Sequence, residues 1–426
     1  MTALPGPRGR AAFRATRGLL GTPMVTIEAL AEQYGRTFSI GLGPTSITVV
    51  GDRELIKVVL TGPQERYRWG PIFKVPLGVF VGPTSMLVSD AAEHDRRRSV
   101  VQPAFALRRL QSWRTLIIEE LDRMIDDLPL GVRFDLAPWI QTTVRRIVVR
   151  VLFGPELDAD EVGARLAYAA DYINRPVLRQ VPHPFPVGDR ERARASRRSF
   201  DELLDSEIAR RRAEPPHERD DVLDVLLAAD LTHQELADQV ASLIGAGYDT
   251  TTATASWLVL RAAPRSDVWD RLRTEADAAE APDQRPWADA VVHESLRIHP
   301  AGAHAPRLVA QNFDLGPYAI RRGSLIAWSP LLAGRDPRSW PDPMRFDPTR
   351  HLDHDEPEYA WVPFGAGSRS CLGFGLARMN LTLLASRLAQ RVDLEPASTL
   401  VPEPVGTVTS HPLGGVPVTV VSRRRI

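Results

Sequence analysis

The chain has 426 residues, 43% of them hydrophobic and 25% charged, a balance typical of a globular protein able to bury a large core. Lysine plus arginine (53) equals aspartate plus glutamate (53), so no global charge draws it to nucleic acid or to an anionic membrane. A single cysteine rules out an internal disulfide and the paired thiolates of most structural zinc sites. No apolar run approaches the roughly 18 residues of a membrane helix, and Met1 to Gly21 lacks the apolar core and cleavage site of a signal peptide.

In chain order, Thr37–Ile40 and Ser46–Val50 flank Gly41-Leu42-Gly43-Pro44 and read as a hairpin. From about Asp90 to Glu280 the pattern is mainly helical. Arg190 to Arg212 forms a charged helix with Phe200, Leu203, Leu204 and Ile208 on one face, its arginines reading as a solvated face. Thr232-His233-Gln234-Glu235 is a capping box and Pro264 a stop. The helix between them is about 30 residues, or roughly 45 Å, long enough to cross a domain. Its middle, Ala246-Gly247-Tyr248-Asp249-Thr250-Thr251, is rich in poor helix formers, a cluster that stability alone does not favour. Short strands are expected near Arg307–Val309 and Leu325–Trp328, a last helix just after Cys371, and a terminal hairpin over Pro412–Val421. The balance is mainly α with small β-sheets, an α+β fold, read as a single domain over residues 1–426.

Cys371 sits in Phe364-Gly365-Ala366-Gly367-Ser368-Arg369-Ser370-Cys371-Leu372-Gly373. A lone thiol framed by glycines, an arginine and an aromatic ring, just before a helix, suits a single metal–sulfur bond. Gly365-Ala366-Gly367 also begins like a dinucleotide loop, but the sixth position is Ser370 and no suitable strand precedes it. An inert buried cysteine is the bland alternative.

The loop resembles the haem-binding loop of the cytochrome P450 family, and the middle of the long helix resembles that family's acid–alcohol pair. Glu294-Ser295-Leu296-Arg297 and Phe346-Asp347-Pro348-Thr349-Arg350 match two further family segments, and the resemblance runs from about Pro5 to the C-terminus. It implies a soluble bacterial enzyme without a membrane anchor, in the cytoplasm, with Cys371 as thiolate ligand of haem b. Phe364, Gly367, Arg369 and Gly373 would shape that ligand's loop. Gly367 and Gly373 would permit backbone geometry that a side chain would block. Ala246 and Gly247 would leave room for dioxygen beside the iron, with Asp249 and Thr250 relaying protons. Glu294, Arg297 and Arg350 would form a buried network behind the loop. His94, Arg98, Arg307 and Arg369 would meet the haem carboxylates. Gly334 stands where relatives often carry histidine.

The implied reaction is hydroxylation or epoxidation of a hydrophobic small molecule, a terpene, fatty acyl chain or polyketide, which fits secondary metabolism. Electrons would come from a separate ferredoxin and its NAD(P)H-dependent reductase, to a monomer. Candidate pocket walls are Phe73, Val75, Leu77, Phe80, Leu243, Ile244, Ala303, Val405 and Thr407, with Lys74 or Arg68 as a possible carboxylate anchor. A peroxide-driven peroxygenase and a non-catalytic haem-thiolate sensor remain alternatives at this point.

Overall fold

The computed structural model describes residues 2–43, 45–75, 77–175, 180, 187–214, 221–278, 285–353 and 356–425. Helices dominate, and the largest apolar cluster gathers them around the segment His233–Ala262. That helix starts at Thr232, whose hydroxyl accepts from the Glu235 N–H while the Glu235 carboxylate accepts from the Thr232 N–H. Of its 30 residues 22 are buried, so it runs through the core rather than along it. Its polar members are hydrogen-bonded inside. Thr252, Thr254 and Ser256 each donate to the carbonyl four residues earlier, which lets a hydroxyl-rich stretch stay dry.

The expected hairpin is present: Thr37–Leu42 pairs antiparallel with Thr45–Val50. It joins a five-stranded sheet in the order Thr37–Leu42, Thr45–Val50, Leu325–Trp328, Ala305–Val309 and Tyr67–Arg68. Thr45–Val50 and Leu325–Trp328 run parallel, and the other pairs are antiparallel. The sheet therefore brings Tyr67 and Arg307, far apart in sequence, onto neighbouring strands. The last helix, Phe374–Arg391, opens three residues after Cys371 and packs beside the long helix.

Two expectations change. Pro412–Val421 is not a hairpin. His411–Pro412 pairs with Pro404–Val405, while Pro417–Arg423 pairs with Val392–Pro396 and Arg133–Asp135. Val416, Val418 and Val420 are all buried, and that apolar row selects the core-facing strands as partners. The helix Asp189–Ala213 does not carry all its arginines in solvent either. Arg197 is buried, bonded to Asp238 at 2.9 Å and Asp201 at 2.8 Å. Arg211 is buried, donating to Glu207 (2.6 Å), Asp221 (2.9 Å), Asp224 (2.6 Å) and the Phe153 carbonyl (2.7 Å). A guanidinium has five donors, so one side chain can bind several oxygens and hold this helix to its neighbours.

Arg211→Ala leaves Glu207 and Asp221 buried without their shared cation, and the expected loss is about 3–5 kcal/mol. Equilibrium denaturation measures it; a loss under about 1 kcal/mol would mean the cluster is solvated.

Candidate active site

Cys371 ends a tight loop. Its N–H donates to the Phe364 carbonyl at 2.9 Å, which draws the two ends of the segment together. Gly367 has φ of 71°, and a Cβ there would lie 2.7 Å from the Leu60 carbonyl oxygen, so this glycine is required by conformation and by space. The second left-handed position is Gly365, at φ 66°, not Gly373. Gly373 has φ of −83°, and a Cβ would meet no protein atom within 4 Å. Its expected backbone role therefore passes to Gly365. What Gly373 supplies is its N–H, hydrogen-bonded to Cys371. Cys371 is exposed on one side and crowded by protein on the others. That burial pushes its thiol above the ordinary value, while the Gly373 N–H and the Arg98 charge pull it down. Phe364 stands edge-on to Phe374 at 4.8 Å and is tilted against Trp361 at 5.9 Å.

On the long helix, Ala246 and Thr250 lie one turn apart and are exposed, although the residues around them are mostly buried. Gly247, between them, is half-buried. The helix thus offers one small-residue, open face in its interior. Thr250 Oγ1 donates to the Ala246 carbonyl at 2.7 Å. Asp249 points elsewhere. It is 8% exposed, accepting from Asn174 Nδ2 at 3.0 Å and His411 Nε2 at 3.1 Å. Burial alone would raise its carboxyl, but hydrogen bonds from His411, Thr409 and Asn174 outweigh it and hold the group below the ordinary value.

His94, Arg98, Arg307 and Arg369 come together from three parts of the chain. His94 and Arg98 share the helix Ala91–Val101, and Arg98 donates to the Ser370 carbonyl at 2.8 Å. Arg307 donates to the Val59 carbonyl at 2.8 Å and lies over Tyr67 and Trp69 at 5.1 and 5.2 Å. Arg369 lies over the same Trp69 at 5.4 Å and donates to the Ser89 carbonyl at 2.6 Å. The Arg369 charge bears on His94, Arg98 and Arg307 alike. Burial brings Arg307 and Arg369 each down to about 10 and lowers His94 as well. Arg307 Nε is buried with no hydrogen-bond partner. Asp90 faces Arg369 at 3.4 Å but is also bound to the Trp69 and Gly70 N–H groups. Asp95 lies at 3.0 Å from His94 Nδ1. Three arginines set against Asp90 and Asp95, with an orphaned donor on Arg307, fit a ligand carrying carboxylates.

Behind the loop, Glu294 and Arg297 are fully buried and paired twice, Nε to Oε2 at 2.7 Å and Nη2 to Oε1 at 2.9 Å. Arg350 joins this network as expected, but as an ion pair and not through a hydrogen bond. Its Nε lies 3.6 Å from Glu294 Oε1, without a hydrogen bond, and its Nη2 donates to the Asp342 carbonyl. The neighbour His351, which the sequence did not single out, adds a hydrogen bond, donating from Nε2 to Glu294 Oε2 at 2.9 Å. The tight turn Pro348–His351 presents His351 inward and leaves Arg350 at the edge. Burial alone would raise Glu294, but Arg297 and His351 outweigh it and hold the carboxyl at about 2. His351 is raised despite burial, by Glu294 and Glu356. His293, His351 and Glu356 bring ligand-type atoms within 4.8 Å of one another. Both His351 nitrogens are committed to carboxylates, so the trio is a salt-linked support. Gly334 belongs to the same support. Its carbonyl accepts from Arg297 Nη1, and a Cβ would lie 2.2 Å from the Arg297 carbonyl oxygen.

The pocket candidates do not converge on one wall. Phe73 is half-buried and stacks on Trp69 at 5.2 Å, and Leu77 is half-buried beside the core. Phe80 is buried, its ring in the space that a Cβ on Gly245 would fill. Leu243 and Ile244 belong to the main core, and Ile244 faces the back of the long helix with Tyr248 and Asp249. Ala303 is packed with Met24 and Leu331. Val75 and Val405 are exposed, and Thr407 donates to the Arg175 carbonyl at 3.4 Å.

The family model for cytochrome P450 matches residues 14–415. Putative cytochrome P450 139 of Mycobacterium tuberculosis is 30% identical over 396 residues, covering 86% of this chain and 91% of the relative. Putative cytochrome P450 135A1 of the same species is 29% identical over 425 residues, covering 94% and 91%. Among solved structures, the retinoic acid-bound cyanobacterial CYP120A1 superposes with a TM-score of 0.86 at 24% identity, covering 95% of this chain and 96% of that one. A zebra fish cytochrome P450 with progesterone gives a TM-score of 0.80 at 24% identity, covering 94% and 99%. The chain belongs to the cytochrome P450 family, the haem-thiolate monooxygenases. Haem is therefore its cofactor, and its class of reaction is monooxygenation. No helix among the described residues is long and apolar enough to cross a membrane.

His351→Ala should destabilise the protein by more than Arg350→Ala, because only the former removes a hydrogen bond from buried Glu294. Denaturation midpoints compare the two, and equal effects would reject the greater weight of His351. Glu294→Ala should yield haem-free or insoluble protein, and soluble protein with full haem occupancy would reject its structural role. Glu294 has a lowered carboxyl, so its stabilisation is complete above about 4.5 and fades as pH falls towards about 2. His351 works with the opposite sign: its contribution is present below 6.5 and is lost as pH rises through its raised value.

Proposed function

We propose that this chain is a haem b enzyme in which Cys371 is the thiolate ligand and the open face at Ala246 and Thr250 borders the reaction site. A hydrophobic small molecule would be hydroxylated or epoxidised there. Electrons would come from a ferredoxin and its NAD(P)H-dependent reductase. We further propose a single-domain, cytoplasmic, monomeric protein of secondary metabolism. The observation that carries the reading is the pairing of a lone, half-open thiol with an exposed alanine–threonine face inside an otherwise buried helix.

The bound haem supplies activation of dioxygen, and its electronics are tuned by a thiolate ligand. The chain's own residues do the rest. The Gly373 N–H and the nearby Arg98 charge favour the ionised sulfur. His94, Arg98, Arg307 and Arg369 would hold the haem carboxylates. Thr250 would turn its hydroxyl from the Ala246 carbonyl towards the reaction site, and Asp249 would return the proton it gives up. The acid–alcohol pair favours dioxygen over a peroxide-driven reaction, and a ligand sensor has no use for it. For the substrate, the support is the apolar character of retinoic acid and progesterone, held by proteins of like fold. Phe73, half-buried and stacked on Trp69, and Leu77, half-buried beside the core, would form part of its wall.

The reduced carbon monoxide difference spectrum tests the ligand. A thiolate-type Soret band is expected, and Cys371→Ala should abolish it; a band of the nitrogen-ligated type in loaded wild type would overturn the assignment. With a substrate found by type-I spectral shifts, Thr250→Ala should divert most reducing equivalents to peroxide, and unchanged coupling would remove Thr250 from the relay.

A further inference from the structure

We propose that His411 is the positioning and proton-exchange partner of Asp249, so that the carboxylate is reloaded from the back of the long helix. This rests on the reading that Asp249 serves Thr250. Asp249 is buried, and its two oxygens are met at hydrogen-bond distance by Asn174 Nδ2 and His411 Nε2, with Thr409 as a third side-chain donor. These partners are tied to each other, because Asn174 Oδ1 accepts from the Thr409 N–H at 3.3 Å, two residues before His411. The result is a closed ring of Asp249, Asn174, Thr409, Ser410 and His411. The ring is clamped from outside. The Ser410 carbonyl accepts from Trp257 Nε1 at 2.9 Å, and the Ser410 N–H donates to the Ala301 carbonyl at 2.8 Å. His411 therefore has a fixed position against the carboxylate.

His411 is also the ring's way out. Its side chain is 27% exposed, against 12% for Asp249. Both border a cavity of about 370 Å³ behind the helix, lined also by Gln141, Arg145, Asp171, Asn174 and Tyr248. The other charged groups there are poor proton carriers near neutrality. Arg145 is held by Asp160 at 2.8 Å, and a guanidinium does not deprotonate. Asp171 is held by Arg175 at 2.6 Å. Tyr248 is pushed up by burial and by the Asp249 charge. An imidazole is the side chain suited to exchange protons at that pH, and His411 is the one among the described residues lining the cavity. In the step, imidazolium Nε2–H breaks and Asp249 Oδ1–H forms, leaving neutral imidazole and neutral carboxylic acid. Water in the cavity then reprotonates the ring, and the acid carries its proton towards Thr250.

The test uses the haem-loaded full chain and the variant H411Q, which keeps an N–H donor but cannot carry a proton as a charge. Haem content and the carbon monoxide band should match wild type; a wild type without the thiolate band would instead sink the haem-thiolate reading. NADPH oxidation is then followed with a [2Fe–2S] ferredoxin and its reductase, without added substrate, in H2O and D2O. H411Q should slow it about tenfold, less than the loss of a full general acid, and should enlarge the solvent isotope effect. In the ferrous carbonyl protein, the His411 imidazole resonance, assigned by its loss in H411Q, should move in D249N. An unchanged rate and isotope effect, or an unmoved resonance, overturns the proposal. If H411Q fails to load haem, H411N is read in the same way.

Discussion

One buried carboxylate organises the proximal half of the molecule. Glu294 accepts two hydrogen bonds from Arg297, one from His351 and one from the Asp347 N–H at 2.7 Å. Arg297 in turn donates to the carbonyls of Gly334 and Arg345. One ion pair thus joins the helix Pro286–Ile298 to the irregular segment that leads into the cysteine loop. An ion pair in a dry interior repays its desolvation only if its remaining donors and acceptors are filled. Here backbone groups and the His351 ring fill them, and filling them fixes the path of a chain that has little regular structure of its own.

From that anchor the two halves of the site follow. The chain from His351 reaches Trp361, whose Nε1 donates to the His293 carbonyl at 3.1 Å, and Trp361 leans on Phe364 at the start of the loop. On the other side, the strand Ala305–Val309 leaves the same helix and carries Arg307 over Trp69. Arg307 and the loop that bears the thiol are therefore tied to one support.

The long helix presents different surroundings on its two faces. Ala246 and Thr250 lie on one side, and Ile244 and Tyr248 line the cavity on the other, with Asp249 bonded towards that cavity. At about 100° per residue, a run of six can address both sides of a helix at once. From Thr250 through Ser256, hydroxyl-to-carbonyl bonds satisfy the side-chain donors of this stretch. Burial of most of the helix in the core, not propensity, holds the segment helical.

Much of this was legible in the residues. The capping box at Thr232, the β-branched pair around Gly43, the glycine-framed Cys371 and the Glu294–Arg297 spacing are local patterns, and local patterns follow from backbone geometry and short-range hydrogen bonding. The partners chosen across the fold were not. Nothing in Pro348-Thr349-Arg350-His351 says which side chain of the turn faces inward; that depends on how the turn seats against the helix bearing Glu294. Arg197 and Arg211 look like their solvated neighbours until packed elements bring Asp238 and Asp221 to them. His411 carried no signal, since its partner is 162 positions away. Sequence alone determined the long helix, the first hairpin and the tight glycine loop before Cys371, because those depend on neighbours within a turn or two. Tertiary structure decided which charges are buried and what each is paired with, because burial and long-range pairing belong to the packed chain and not to any segment of it.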